Sequence, residues 1–383
     1  MEEIFPFKNH FIYLNFCGIA PLHPHALKKK IEFEKKHSQL GAFVFNEYPD
    51  LLKKFRDQFA KLLKTSPENI SFVKNTAEGL SLIANGYPFE PDDEILSYIH
   101  EYPSNHYPWK MQEFKKRAKL KLIKNNPKLA LNAKEISKDY PIGFSLRDIE
   151  NLTTKKTKVL AISSVQFTSG FAANLKEIGK FCKENQIDLV VDAAQSLGSL
   201  PLYPEEYHIS AIASSGWKWL MGPIGSGILY TSKEFREKIE VTMAGADLML
   251  QGSDYLNHTW QPYTDGRKFE YSTLPYSDIL ALTICAEFLF HESIESIQER
   301  IFYLHRIFKE NCKNQKIRFL EFNKENQSGI LSLVVENPNQ IVSILKENRI
   351  LCTVRGNFVR VAPHFMITEQ EIEKVVDVMN QIK

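Results

Sequence analysis

From about residue 69 the chain alternates short β-rich runs with stretches of helical periodicity, and this alternation constrains the fold more than any other feature. Strands separated by whole helices cannot close as hairpins. They align in parallel, with helices covering both faces of one sheet. Residues 70–73, 94–99, 119–123, 158–163, 187–191, 210–214 and 226–231 read as such strands. Ile187-Asp-Leu-Val-Val191 is almost wholly apolar, as a strand buried on both faces should be, and it runs into Asp192. Asn75-Thr-Ala-Glu78 and Asn174-Leu-Lys-Glu177 each place asparagine three residues before glutamate, a pattern that reciprocally satisfies the free N–H groups at a helix start.

Past about residue 275 the pattern changes to a long helical stretch, then strands near 329–335, 350–354 and 358–361. A last helix opens at Thr368-Glu-Gln-Glu371 and carries Ile372, Val375, Val376 and Met379 at helical spacing. This predicts a large α/β domain over residues 16–270 and a smaller α+β domain over 271–383, joined by the N-terminal segment 1–15. A chain of 383 residues can bury a core of that size and enclose a cofactor.

Basic and acidic residues, 48 and 46, are interspersed, so no positive stripe awaits a nucleic-acid backbone, and none is expected as a partner. Lys28-Lys29-Lys30 and Lys115-Lys116-Arg117 read as solvated helix faces. The acidic, proline-broken start lacks the pattern of a signal peptide, and no uncharged stretch is apolar enough to span a bilayer. The 5 cysteines are scattered and form no Cys-x-x-Cys pair, which argues against a disulfide framework and a structural zinc site. A cytoplasmic protein with no membrane partner and no metal is expected.

The chemistry concentrates in two segments. Ser214-Ser-Gly-Trp-Lys-Trp-Leu-Met-Gly-Pro223 sets Lys218 between two tryptophans just past a buried strand. Desolvation there disfavours the ammonium and lowers its pKa, which suits an amine that attacks an aldehyde, so Lys218 is a candidate Schiff-base lysine. Asp192, in Val-Val-Asp-Ala-Ala-Gln-Ser196, arrives at the carboxyl end of a core strand, where open α/β sheets bind ligands. It reads either as a cap of the following turn or, paired with Lys218, as the partner of the protonated ring nitrogen of pyridoxal phosphate.

These two segments, with Asn75-Thr-Ala-Glu-Gly-Leu80, Glu101-Tyr-Pro-Ser-Asn-His-Tyr-Pro-Trp109 and Arg267-Lys-Phe-Glu-Tyr-Ser-Thr273, resemble the class V aminotransferase family of fold type I pyridoxal-phosphate enzymes. The resemblance runs in order from Tyr13-Leu-Asn15 to Arg360-Val-Ala-Pro-His364. It implies pyridoxal 5′-phosphate as cofactor and a small-molecule amino acid as substrate. By the same resemblance Lys218 holds the cofactor, Asp192 pairs with the ring nitrogen, and Gln195 donates to the phenolic oxygen with Gln166 beside it. Tyr102 stacks on the ring. Thr76, Ala77 and Ser215 receive the phosphate, and Arg360 clamps the substrate carboxylate. Thr273 matches a position that reaches the partner subunit's phosphate, which implies a homodimer with shared sites. Arg355 reads equally as an assistant to Arg360 or as an exposed ion pair.

Trp217 stands where many desulfurases have a histidine, and no cysteine-bearing loop lies near Arg360; both differ from the desulfurase pattern. Among the cysteines, only Cys17 falls where a pocket could reach it. The expectation is therefore an aminotransferase. A β-eliminating carbon–sulfur lyase or an epimerase is the alternative within the family, and a non-catalytic cofactor-binding regulatory protein the alternative outside it. His23-Pro-His25 reads as a surface or entry feature rather than a metal site, and 222–227 as a tight turn.

Overall fold

The computed structural model describes residues 5–135 and 137–382; residues 1–4 of the expected N-terminal segment, residue 136 and residue 383 lie outside the described residues. Seven strands form the central sheet in the spatial order Ile70–Val73, Gly227–Thr231, Ala211–Ser215, Asp188–Asp192, Thr157–Ser163, Glu94–Tyr98, Lys119–Ile123. Only Gly227–Thr231 runs against its neighbours; the other pairings are parallel. Every bound lies within one residue of the sequence reading. The middle strands are buried along their whole length, which explains why Leu189-Val190-Val191 and Ala211-Ile212-Ala213 at their centres are apolar without alternation. Apolar layers cover both faces, one built around Leu189, Val191 and Ile212, the other around Val190, Ala211 and Leu80.

Asn75 caps helix Thr76–Gly86 by accepting from the N–H of Glu78 at 2.8 Å. The reciprocal half of the expected box does not form. The Glu78 carboxylate instead accepts from the Lys74 N–H at 2.5 Å and the Tyr271 hydroxyl at 3.0 Å, which draw it one residue back. Thr368 and Glu371 close a complete capping box ahead of helix Glu369–Gln381.

A second, antiparallel sheet follows the order Thr353–Arg355, Phe358–Val361, Leu331–Val334, Arg318–Phe319. Helices Ile294–Asn311 and Glu369–Gln381 pack on each other beside it. The single strand expected over 350–354 divides in two. Ile350–Leu351 pairs in parallel with Ile12–Tyr13, while Thr353–Arg355 pairs with Phe358–Val361, and Cys352 is left between them. Two partners in different sheets thus pull this stretch apart. Helix Tyr276–Glu292 packs against Pro24–Leu40 and Leu51–Leu63, tying the start of the C-terminal third to the N-terminal helices. Among the described residues no helix is long and apolar enough to cross a membrane.

Candidate active site

The carboxyl ends of the parallel strands open into a cavity of about 750 Å³. Thr76, Ala77, Tyr102, Asp192, Gln195, Ser215, Lys218 and Arg360 all line it. Gln166 lies immediately behind the wall, between the lining residues Val165 and Phe167, and is 1% exposed. Thr273 stands apart, exposed and outside this cavity.

Strand Ala211–Ser215 delivers Ser215, and a turn then carries Lys218. That turn is closed by bonds from Gly216 N–H to Ser226 O at 2.7 Å, from Met221 N–H to Lys218 O at 2.9 Å, and from Gly222 N–H to Gly216 O at 2.7 Å. The loop after Asp192 packs directly on it. Gly198, at φ +100°, leaves no room for a Cβ, which would lie 2.7 Å from the Trp219 carbonyl oxygen. The Trp219 indole donates to Gln195 Oε1 at 3.3 Å, and Gln195 Nε2 donates to the Cys17 carbonyl at 3.0 Å. His364 completes the support. Its Nδ1 accepts from the Phe365 N–H at 2.9 Å, so the neutral ring carries its proton on Nε2 and donates to the Trp219 carbonyl at 3.0 Å.

Among the described residues Lys218 has no carboxylate within ion-pair distance, and its Nζ lies 5.5 Å from the centroid of the Tyr102 ring. Burial lowers its pKa, with the Asp192 charge opposing that shift. Asp192 is 5% exposed and accepts from the Ala194 N–H at 2.9 Å. Burial raises its pKa, against the Lys218 charge. A buried carboxylate held by one N–H calls for a cation. At the cavity's other end, Ser215 Oγ accepts from the Thr76 N–H at 3.2 Å and pairs with the Thr76 hydroxyl at 2.9 Å. This places hydroxyls and the positive end of helix Thr76–Gly86 on the wall, a setting for an anion. Arg360 is 2% exposed, donates to the Phe167 carbonyl, and keeps an unpartnered Nε. A guanidinium this deep needs an acid.

Sequence reasoning missed Glu101. Buried beside Asp192, it accepts from the Ser163 N–H at 2.9 Å, the Ser163 hydroxyl, Asn105 Nδ2 at 3.1 Å and Gln166 Nε2 at 3.2 Å. Burial pushes its carboxyl up to about 7, the Ser163 and Asn105 hydrogen bonds oppose this, and Asp192 adds to it. The signal was its position, directly before Tyr102 and just past strand Glu94–Tyr98. Gln166 thereby spends its amide N–H on Glu101 and leaves Oε1 unpartnered. His23 is likewise not a surface residue. It is buried between Phe5 and Phe288, with ring centroids 5.6 and 4.4 Å away.

An amine with a lowered pKa, a carboxylate short of a cation, an anion-ready helix start and a buried guanidinium are what pyridoxal phosphate and an amino-acid substrate together require. The donor set fits that cofactor. Sheet and cavity define a fold type I pyridoxal-phosphate enzyme. The family description Aminotransferase class-V matches residues 34–371, and the chain belongs to that family, whose cofactor is pyridoxal 5′-phosphate. It is 27% identical over 301 residues to a probable cysteine desulfurase of Pyrococcus abyssi, covering 77% of this chain and 71% of that one. A probable cysteine desulfurase of Methanothermobacter thermautotrophicus is 22% identical, covering 98% of this chain and 96% of its own. The solved complex of the cystine C-S lyase C-DES with cysteine persulfide aligns at TM-score 0.87 and 21% identity over 99% of both chains.

Proposed function

We propose that this protein is a β-eliminating carbon–sulfur lyase acting on a sulfur-containing α-amino acid. The sequence alone favours transamination; the three similar proteins described above carry names of carbon–sulfur cleavage, which supports the alternative within the family instead. The observation that carries this reading is the state of Cys17. It is the one cysteine among the described residues that line the cavity, yet it is 1% exposed, with Sγ 3.8 Å from Asn15 Oδ1. A C–S bond can be presented to Lys218 here, but no thiol is free to swing out and accept the sulfur. Neither Cys182 nor Cys352 lines the cavity, and burial pushes each thiol up to about 12.

When bound, pyridoxal phosphate supplies an electron sink for the pair left behind as the α-proton departs. Thr76, Ala77 and Ser215 would hold its phosphate, Asp192 its ring nitrogen and Gln195 its phenolic oxygen, with Gln166 supporting from behind the wall, and Tyr102 would lie against its ring. Arg360 takes the substrate α-carboxylate in a two-pronged grip and so aims the α-hydrogen. Lys218, whose pKa burial lowers, accepts that proton and returns it to the departing sulfur, which keeps the electron pair of the broken Cβ–S bond. With one water consumed, pyruvate, ammonia and the sulfur fragment leave, a thiol from a thioether substrate and a small-molecule persulfide from a disulfide such as cystine. Thr273 serves the phosphate of a second copy, so the active unit is a homodimer.

The test is to supply S-substituted cysteines with and without an oxo acid. Pyruvate released at a rate independent of the oxo acid is expected; amino transfer to the oxo acid, without pyruvate, replaces this reading by transamination.

A further inference from the structure

Three neighbouring strands of the sheet converge, at their carboxyl ends, on two buried acids. Glu101 follows strand Glu94–Tyr98, Asp192 closes strand Asp188–Asp192, and Ser163, the last residue of the strand between them, is paired in register with Asp192. Adjacent strands lie ~4.8 Å apart, so one residue, Ser163, separates the two acids. The Glu101 side chain reaches across to it. One carboxylate oxygen accepts from the Ser163 N–H at 2.9 Å and Gln166 Nε2 at 3.2 Å, the other from the Ser163 hydroxyl and Asn105 Nδ2 at 3.1 Å. Asn105 is fixed in turn by the Trp109 indole, which donates to its Oδ1 at 3.1 Å.

Four donors surround Glu101, and none is a cation. Asp192 and, on the strand before it, Tyr98 bear on it electrostatically; the Tyr98 hydroxyl is bonded to Asn125 Oδ1 at 2.7 Å, and Ser163, Asn105 and Gln166 are uncharged. Glu101 does not line the cavity, whereas Asp192 does. We infer that Glu101 is a positioning residue for the reaction, a second negative charge set behind Asp192 that keeps the proton on the cofactor's ring nitrogen. This role rests on the assignment of Asp192 made under the proposed function. It goes beyond that assignment by adding an acid that touches neither cofactor nor substrate. In the ligand-free protein the charge of Asp192 is uncompensated, and Glu101 holds its own proton up to about pH 7. A protonated ring nitrogen seated on Asp192 offsets that charge, and the Glu101 proton leaves to water. The coupling is reciprocal: if the ring's charge lowers the pKa of Glu101 by about one unit, an ionised Glu101 tightens cofactor binding about tenfold.

The test measures dissociation constants of pyridoxal phosphate by equilibrium dialysis from pH 5.5 to 8 for the wild type, Glu101→Gln and Ser163→Ala. Titration of the cofactor's phosphate and of Lys218 is common to all three, so the ratio of variant to wild-type constant isolates Glu101. For Glu101→Gln this ratio is expected to stay near one at pH 5.5, where the wild-type acid is neutral, and to climb about tenfold by pH 8. Ser163→Ala removes one donor to the carboxylate. It is expected to move the rise in affinity to higher pH, an independent reading should Glu101→Gln fail to fold. A Glu101→Gln ratio that does not change with pH, or a rise that Ser163→Ala leaves unmoved, overturns the role and leaves Glu101 a structural tie. Asp192→Asn, measured alongside, separates the two failures. Weakened binding there with a flat Glu101→Gln ratio removes Glu101 alone, whereas unaltered binding removes the assignment of Asp192 and the role of Glu101 with it.

Discussion

The Nζ of Lys218 lies 5.5 Å from the centroid of the Tyr102 ring, and Tyr102 in turn meets Phe167 edge-on at 5.1 Å. The lysine assigned to the cofactor thus faces the ring assigned to cover it, and Phe167 holds that ring from the side. Tyr102→Phe keeps this wall and is expected to leave cofactor affinity within about twofold, whereas Tyr102→Ala weakens it about tenfold, in line with ~0.5–1.5 kcal/mol for an aromatic contact. Equilibrium dialysis against pyridoxal phosphate measures both. Equal affinities would remove Tyr102 from the site.

Arg360 offers a test that separates stability from function. Because its guanidinium is buried with no acid paired to it among the described residues, Arg360→Met is expected to leave the ligand-free protein as stable or to raise its Tm by a few degrees. The same change should cut kcat/KM by about 100-fold or more through loss of the carboxylate grip. A large drop in Tm would mark Arg360 as structural.

Glu101 predicts a pH dependence. Its carboxyl is raised from 4.5 to about 7, so the folded protein holds this proton more tightly than the unfolded chain. The resulting stability is fully present below about pH 4.5 and is lost as pH rises through about 7, on the order of 3 kcal/mol in all. Melting of ligand-free protein between pH 5 and 8 should show this loss, and Glu101→Gln should flatten it. Parallel curves for the two proteins contradict the assignment.

Thr273 is exposed and does not line its own cavity, and the proposal gives it to the phosphate of a second copy. Dilution is expected to weaken cofactor binding and activity together. Full activity in a stable monomer rules the shared site out.

Much of this was legible in the sequence because each signal is local. Continuous apolar runs mark strands buried on both faces, and Lys218 between tryptophans announces its own desolvation. What escaped depends on pairings between distant segments. Glu101 acquires its meaning from Ser163 and Gln166 on the neighbouring strand and its following loop. The division of 350–354 depends on Ile12, more than three hundred residues away. Arg355 could not be placed until the hairpin register put it on the face of Arg360. His364 had no evident role until its ring met the Trp219 carbonyl.

On the proposed reaction, sulfur leaves this site as a small molecule and does not pass to a protein thiol. Its most direct test is one reaction of the holoenzyme with cystine and, in parallel, with cysteine, in which pyruvate, alanine and protein-bound persulfide are quantified by mass spectrometry. Pyruvate as the carbon product, no persulfide on any of the 5 cysteines, and activity that survives Cys17→Ala are expected. Alanine released together with a persulfide on Cys17 would contradict it and assign the protein to the desulfurases.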